Sequence, residues 1–216
     1  MLYIGSCRVF SMKRVVFTIL LATVLWTIMF SPWTAQHVNF WLTMTGSACL
    51  LSGFATIFSP GWWKKLRFTP SQILWGIAIA VVLWGVFWIG DKLSQLMFDF
   101  ARPQVNTIYG MKEGESPLLL TALMLFLIGP AEEIFWRGYV QEKLSLHWNA
   151  NIGFVVTTAI YALVHAGSCN FMLTMAALVA GTAWGLLYRL FPEKFTAIII
   201  SHALWDVAVF IWFPIM

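Results

Sequence analysis

Charge is what this sequence lacks most. Asp, Glu, Lys and Arg make up 10% of its 216 residues, against about 25% in an ordinary globular domain, and 60% of the chain is hydrophobic. A soluble domain of this length has no interior large enough for that much apolar surface, so water is excluded as the main solvent. Cysteine is also scarce: Cys7, Cys49 and Cys169 are odd in number and have no paired or metal-like spacing. That excludes a disulfide framework and leaves them as small packing hydrophobes. There is no Gly-rich phosphate loop and no HExxH run, no internal repeat and no low-complexity tract. The formal charge of +4 is scattered in short basic groups between apolar runs, a pattern that fits membrane orientation and not a nucleic-acid partner.

What is abundant is long apolar runs. Thirteen Trp and eighteen Phe suit lipid contact and the headgroup boundary. Stretches long enough to cross the hydrocarbon core, about 17 to 25 residues, fall at 15–31, 38–59, 71–90, 117–136, 151–167, 171–190 and 195–213. The expected fold is all-α, a polytopic transmembrane helical bundle of about seven spans (seven to eight), with the lipid bilayer as its first partner. The opening run follows Arg8, Lys13 and Arg14 as a signal peptide would. It is long and bulky, however, and Ser31-Pro32-Trp33-Thr34 is a poor cleavage site, so it reads as a retained span, with Met12 as an alternative start.

Cytoplasmic connections hold the excess of Lys and Arg. One alternate set carries ten of them (Arg8, Lys13, Arg14, Lys64, Lys65, Arg67, Arg137, Lys143, Arg189, Lys194), and the other carries three (Lys92, Arg102, Lys112). The N-terminus is therefore expected inside and the C-terminus outside. The 91–116 connection is the one long polar segment, punctuated by Gly110, Gly114 and Pro117, with a short interfacial helix expected around 92–101. Residues 1–216 read as one transmembrane domain: 1–116 carry spans and a loop without signature, and 117–213 carry the residues of chemical interest.

A charged side chain at the bilayer centre costs on the order of 2.5 to 3.5 kcal/mol on insertion scales. The first three runs contain none; Glu132, Glu133, Arg137, His165, His202 and Asp206 all lie in the C-terminal half. Glu133 and Arg137 are four apart on one helical face, which permits an intrahelical ion pair with a structural role. Glu132 points about 100° away with no local partner, which makes it the better general-base candidate. If the fourth and fifth spans form a hairpin turning near Asn149, Glu133 lies sixteen residues before the turn and His165 sixteen after it, both about 24 Å deep. His202 and Asp206 again share a face, and Asp206 is placed to fix the tautomer of His202. His37 and His147 fall at span ends as interfacial bystanders.

Two mechanisms suit this set. In one, Glu132, oriented with His165, deprotonates a water that attacks a scissile carbonyl, and His202, aided by Asp206, stabilises the oxyanion. In the other, Glu132, His165 and His202 bind a zinc-type divalent ion that activates the water. A covalent Ser168 or Cys169 nucleophile is disfavoured because neither has a base at matching depth. Intramembrane Glu and His also mark proton relays, so a proton-coupled transporter is a rival reading, though paired broken helices are missing.

The motifs Glu132-Glu133-xxx-Arg137, Tyr161-xxx-His165 and His202-xxx-Asp206 together resemble the CPBP family of intramembrane proteases, which groups CAAX prenyl-protein endopeptidases with bacteriocin-processing and abortive-infection proteins. The resemblance covers about 117–213. Tyr161 stands where Phe is usual, and Asp206 where Asn is common. It implies a proteolytic cavity with catalytic Glu132, His165, His202 and Asp206, supported by Glu133, Arg137 and Tyr161. A metal-independent glutamate mechanism is favoured, with no cofactor. It also implies a membrane-associated protein substrate: a prenylated CAAX protein, a bacteriocin-like leader, or the C-terminal sorting tail of an exported protein. Short length and compact loops suggest a prokaryotic member in the cytoplasmic membrane. A non-catalytic immunity or scaffold protein of the same family is the other alternative.

Overall fold

The structure is a computed structural model that describes residues 11–215, all of whose regular elements are helical. Seven helices are long and apolar enough to cross a membrane. They are α1 (Met12–Phe30), α2 (Phe40–Phe58), α3 (Pro70–Met97), α5 (Pro117–His147), α6 (Ala150–Leu163, continued by a turn to Ser168), α7 (Phe171–Leu190) and α8 (Phe195–Val207, continued to Trp212). An additional short helix, α4 (Ala101–Gly110), lies between the third and fourth spans. Arg8 and Cys7 fall outside the described residues.

Helix starts follow local chemistry. The side chains of Asn39, Thr69, Ser116, Asn149 and Asn170 each accept a hydrogen bond from a backbone N–H in the first turn that follows, supplying acceptors for donors that have no intrahelical partner. Pro70 and Pro117 open α3 and α5, where a missing N–H does no harm. The expected turn near Asn149 is present, so α5 and α6 form the predicted hairpin and α5 runs well past Arg137.

The first two spans and the last four agree with the apolar runs to within a few residues, apart from the longer α5. The third does not. Helix α3 continues to Met97, and the short helix expected at 92–101 begins instead at Ala101, after a break at Phe98. Asp91 therefore lies inside a membrane-spanning helix, 7% exposed, which corrects the reading of the third span as free of charge. Arg102 of α4 donates to Asp91 Oδ2 at 2.7 Å, and Gln95 donates to the same oxygen at 2.6 Å. Pairing across the α3–α4 break is what makes the buried acid tolerable. Cys49 and Cys169 are free and exposed instead of packed inside, as small apolar side chains can be where lipid is the solvent. His37 and His147 are exposed at helix ends, as expected.

Helix α8 packs extensively on α3, and α6 on α7. At the start of α8, Gln72 of α3 accepts from Ala197 N at 3.1 Å and donates to the Glu193 carbonyl at 3.0 Å. Nearby, Lys65 bridges Glu142 and the Tyr188 hydroxyl. Burial works against this ammonium, but the two partners outweigh it and hold its pKa above the ordinary value.

Candidate active site

The two glutamates sit on a stretch of α5 bracketed by wide π-helical turns, Met124–Ile128 before it and Trp136–Gln141 after it. A π turn inserts one residue into the α-helical register and is common at functional sites. Here the second turn helps point Glu132, Glu133, Arg137 and Gln141 all inward; each is at least 93% buried. Close approach to α8 depends on Gly129, where an added Cβ would lie 2.8 Å from Ala203 Cα.

Glu133 and Arg137 form the expected ion pair, with Nη1 to Oε1 at 2.8 Å. The pair also reaches other helices, which sequence spacing did not indicate. His202 Nδ1 lies 2.6 Å from the same Glu133 oxygen, so Glu133 and not Asp206 holds the nearer nitrogen of that imidazole. Arg137 Nη2 donates to the Gly181 carbonyl of α7 at 3.2 Å, and its guanidinium lies over the rings of Tyr161 and Trp184. Asp206 stands 3.5 Å from His202 Nε2, too long for a strong hydrogen bond. The His202 ring stacks flat on Trp184, centroids 3.8 Å apart.

Glu132 does have a partner, the Tyr161 hydroxyl, which donates to Oε2 at 3.0 Å. Gly181 has no side chain where a Cβ would strike the Tyr161 ring at 2.8 Å, so α7 can press against that ring and hold it. His165 lies beside this pair, yet its hydrogen bonds go elsewhere. Nδ1 is 2.7 Å from the Tyr161 carbonyl, which can only accept, so the proton sits on Nδ1. The remaining lone pair on Nε2 accepts the Trp26 indole N–H at 3.1 Å. The expected direct orientation of Glu132 by His165 is therefore replaced by an indirect one, in which Tyr161 touches Glu132 through its hydroxyl and His165 through its carbonyl.

Glu132, Tyr161, His165, His202 and Asp206 all line one cavity of about 620 Å³. Its remaining wall is mostly apolar, with contributions from Phe30, Trp41, Met124 and Phe210 among others. Glu133 and Arg137 lie behind this surface. As arranged, the set does not fit a divalent ion: Trp26 occupies the His165 lone pair a metal would need, and among the described residues no three His, Cys, Asp or Glu side chains gather as ligands.

Three contributors were missed from sequence. Trp26 and Trp184 looked like ordinary membrane aromatics, and Gln141, which donates to the Gly185 carbonyl at 2.8 Å, carries no charge to mark it. The signal that could have found the last two is Gly181-xxx-Gly185, a small-residue spacing that lets membrane helices approach closely.

Residues 114–208 match the family described as Type II CAAX prenyl endopeptidase, Rce1-like. The matched stretch contains the glutamate pair, Arg137, Tyr161, both site histidines and Asp206, and it begins after α1–α3. No curated protein and no solved structure matches the chain.

Proposed function

We propose that the chain, whose residues 114–208 match the Rce1-like type II CAAX prenyl endopeptidase family, is an intramembrane endopeptidase in which Glu132 activates the attacking water. The observation that carries the reading is the convergence of Glu132, Tyr161, His202 and Asp206 on a single apolar cavity inside a bundle of membrane-spanning helices.

Tyr161 engages Oε2 of Glu132 and leaves Oε1 to take a proton from water. The resulting hydroxide adds to the scissile carbonyl carbon, and charge develops on the carbonyl oxygen. His202 is placed to meet that charge: its Nδ1 is anchored on Glu133, its ring lies on Trp184, and its Nε2 is only loosely held by Asp206. A pre-positioned donor at the oxyanion is usually the largest single contribution to acyl-transfer catalysis. Collapse of the tetrahedral species breaks the C–N bond, and the proton held by Glu132 passes to the departing amine. His165 and Asp206 act as positioning residues, on Tyr161 and His202 respectively.

The substrate class is a membrane-associated polypeptide. The excess of Lys and Arg in alternate connections supports an N-terminus on the cytoplasmic side. The test compares membrane proteomes of cells carrying the native chain with those carrying Glu132→Ala. One polypeptide should persist uncleaved in the variant; unchanged processing of every membrane protein would refute the assignment. Metal analysis of the purified, active protein then bears on water activation: one equivalent of zinc whose removal abolishes turnover would overturn the metal-independent scheme.

A further inference from the structure

Outside the proposed catalytic cluster the cavity wall carries few polar atoms, and most are already bonded. Trp41 Nε1 donates to the Met111 carbonyl, Ser94 Oγ to the Asp91 carbonyl, the Tyr109 hydroxyl to the Val209 carbonyl and Trp184 Nε1 to Ser201 Oγ. Two are not: among the described residues, Asp91 Oδ1 and Trp205 Nε1 are buried without a hydrogen-bond partner, and both residues line the cavity. Asp91 is 7% exposed, and the hydrogen bonds its side chain accepts, from Arg102 and Gln95, both fall on Oδ2. A buried acceptor left unbonded is costly and is kept where something else completes it.

The two residues share one side of the cavity. Phe87, four residues before Asp91 on the same face of α3, packs against the Trp205 ring with centroids 4.5 Å apart, which sets Trp205 about one helical turn, roughly 6 Å, from Asp91 along α3. An extended polypeptide repeats its N–H and C=O groups along one edge every two residues, about 6.8 Å. Such a chain is what a cavity of this kind must receive. A peptide bond inside a membrane helix has its N–H and C=O bonded within the helix, and unwinding the segment to expose a carbonyl frees those groups where no water can take them. Charge selects the same partner: with Arg102 Nη2 at 2.7 Å and Lys92 Nζ at 3.9 Å from Oδ2, a further cation is opposed and a neutral N–H is favoured.

We propose that Asp91 and Trp205 bind the unwound main chain of the substrate, Asp91 Oδ1 accepting a backbone N–H and Trp205 Nε1 donating to a backbone carbonyl, and so hold the scissile bond at Glu132. Trp205 stands beside Asp206 within the family match, whereas Asp91 precedes the matched residues 114–208, so half of this binding pair comes from a helix that the three sequence motifs do not cover. The inference rests on the proteolytic reading but is read out apart from it.

The probe is a synthetic peptide spanning the cleavage site of the polypeptide found by the proteome comparison. Single backbone amides near the scissile bond, but not at it, are replaced in turn by esters, which remove the N–H. With the native chain, one ester position should lower kcat/KM roughly tenfold, the equivalent of one hydrogen bond to a carboxylate; a scan in which no position costs more than about twofold overturns the proposal. Asp91→Leu combined with Arg102→Met replaces the ion pair by apolar groups together, so no charge is stranded. This double variant should lose the same factor on the all-amide peptide and be insensitive to that ester, whereas a further full loss there overturns the assignment to Asp91. Trp205→Phe keeps a ring against Phe87 and removes the N–H; it should lower kcat/KM roughly threefold or more, and an unchanged value overturns the role of Trp205. Should the double variant fail to fold, the ester scan on the native chain and Trp205→Phe decide. Binding of the same peptides to Glu132→Ala separates the two readings. Full cleavage by that variant defeats the proteolytic reading, while loss of affinity at the same ester position supports the binding pair and equal affinity for every peptide overturns it.

Discussion

Between Met12 and Met97 the described residues bury one ionisable side chain, Asp91; between Pro117 and Trp212 they bury Glu132, Glu133, Arg137, His165 and His202. Both regions are apolar helices in the same bundle, and both line the same cavity. The later helices concentrate charge and are covered by the family match, while the earlier segments contribute walls, the ion pairs of Asp91 and Lys65, and indole N–H donors such as Trp26 and Trp41. Expense explains the division. A buried charge needs a partner that only a specific fold supplies, so such residues occur where the chemistry and the partners are. A wall needs only bulk.

Substitutions can break or sharpen that contrast. The largest effect is expected at His202→Ala, which removes the proposed oxyanion donor and should lower kcat roughly 10²- to 10³-fold, measured on the processed substrate. Arg137→Met comes next. It leaves Glu133 with His202 as its partner and without the guanidinium, and breaking a buried pair in this way typically costs about 3 to 5 kcal/mol, visible as a large drop in thermal stability in detergent. Tyr161→Phe restores the side chain usual in the resembled family and removes the bond to Glu132. Loss of a hydrogen bond of about 1.4 kcal/mol corresponds to roughly tenfold in kcat, with little change in melting temperature. Trp26→Phe tests whether the first span reaches the chemistry: by freeing His165 Nε2 it should reduce kcat about threefold, of order 0.6 kcal/mol. A null effect there would confine the machinery to the later helices. Smallest of all, Cys49→Ser with Cys169→Ser should leave activity unchanged, since both thiols are exposed and outside the cavity lining.

The membrane spans and the titratable site residues were legible because a bilayer punishes departures from a simple rule: apolar length reads as a span, and a charge within it reads as an exception with a purpose. Partners were less legible. The Glu133–Arg137 pair followed from helical spacing, but the bond from His202 to Glu133 depends on how α5 and α8 dock, which periodicity within either helix does not encode. Trp26 illustrates the limit. It lies 139 residues from His165 in a segment with no signature, and nothing separates its indole from those of other membrane-facing tryptophans until the tertiary structure turns it inward. Asp91 was misplaced for a local reason: it sits just beyond the end of the apolar run, and α3 simply continues past it.

The widened turn at Trp136–Gln141 has an evolutionary corollary. It holds one residue more than an ordinary helix would accommodate over the same turn, so excising a position there would return the helix to ordinary geometry, leaving Glu142 and everything after it nearly in place but losing the wide turn that carries Arg137 and Gln141. Every residue of this turn is buried, so a change of length disturbs packing on all its sides. Homologous chains should therefore keep the residue count of this turn fixed, with arginine retained at the position of Arg137.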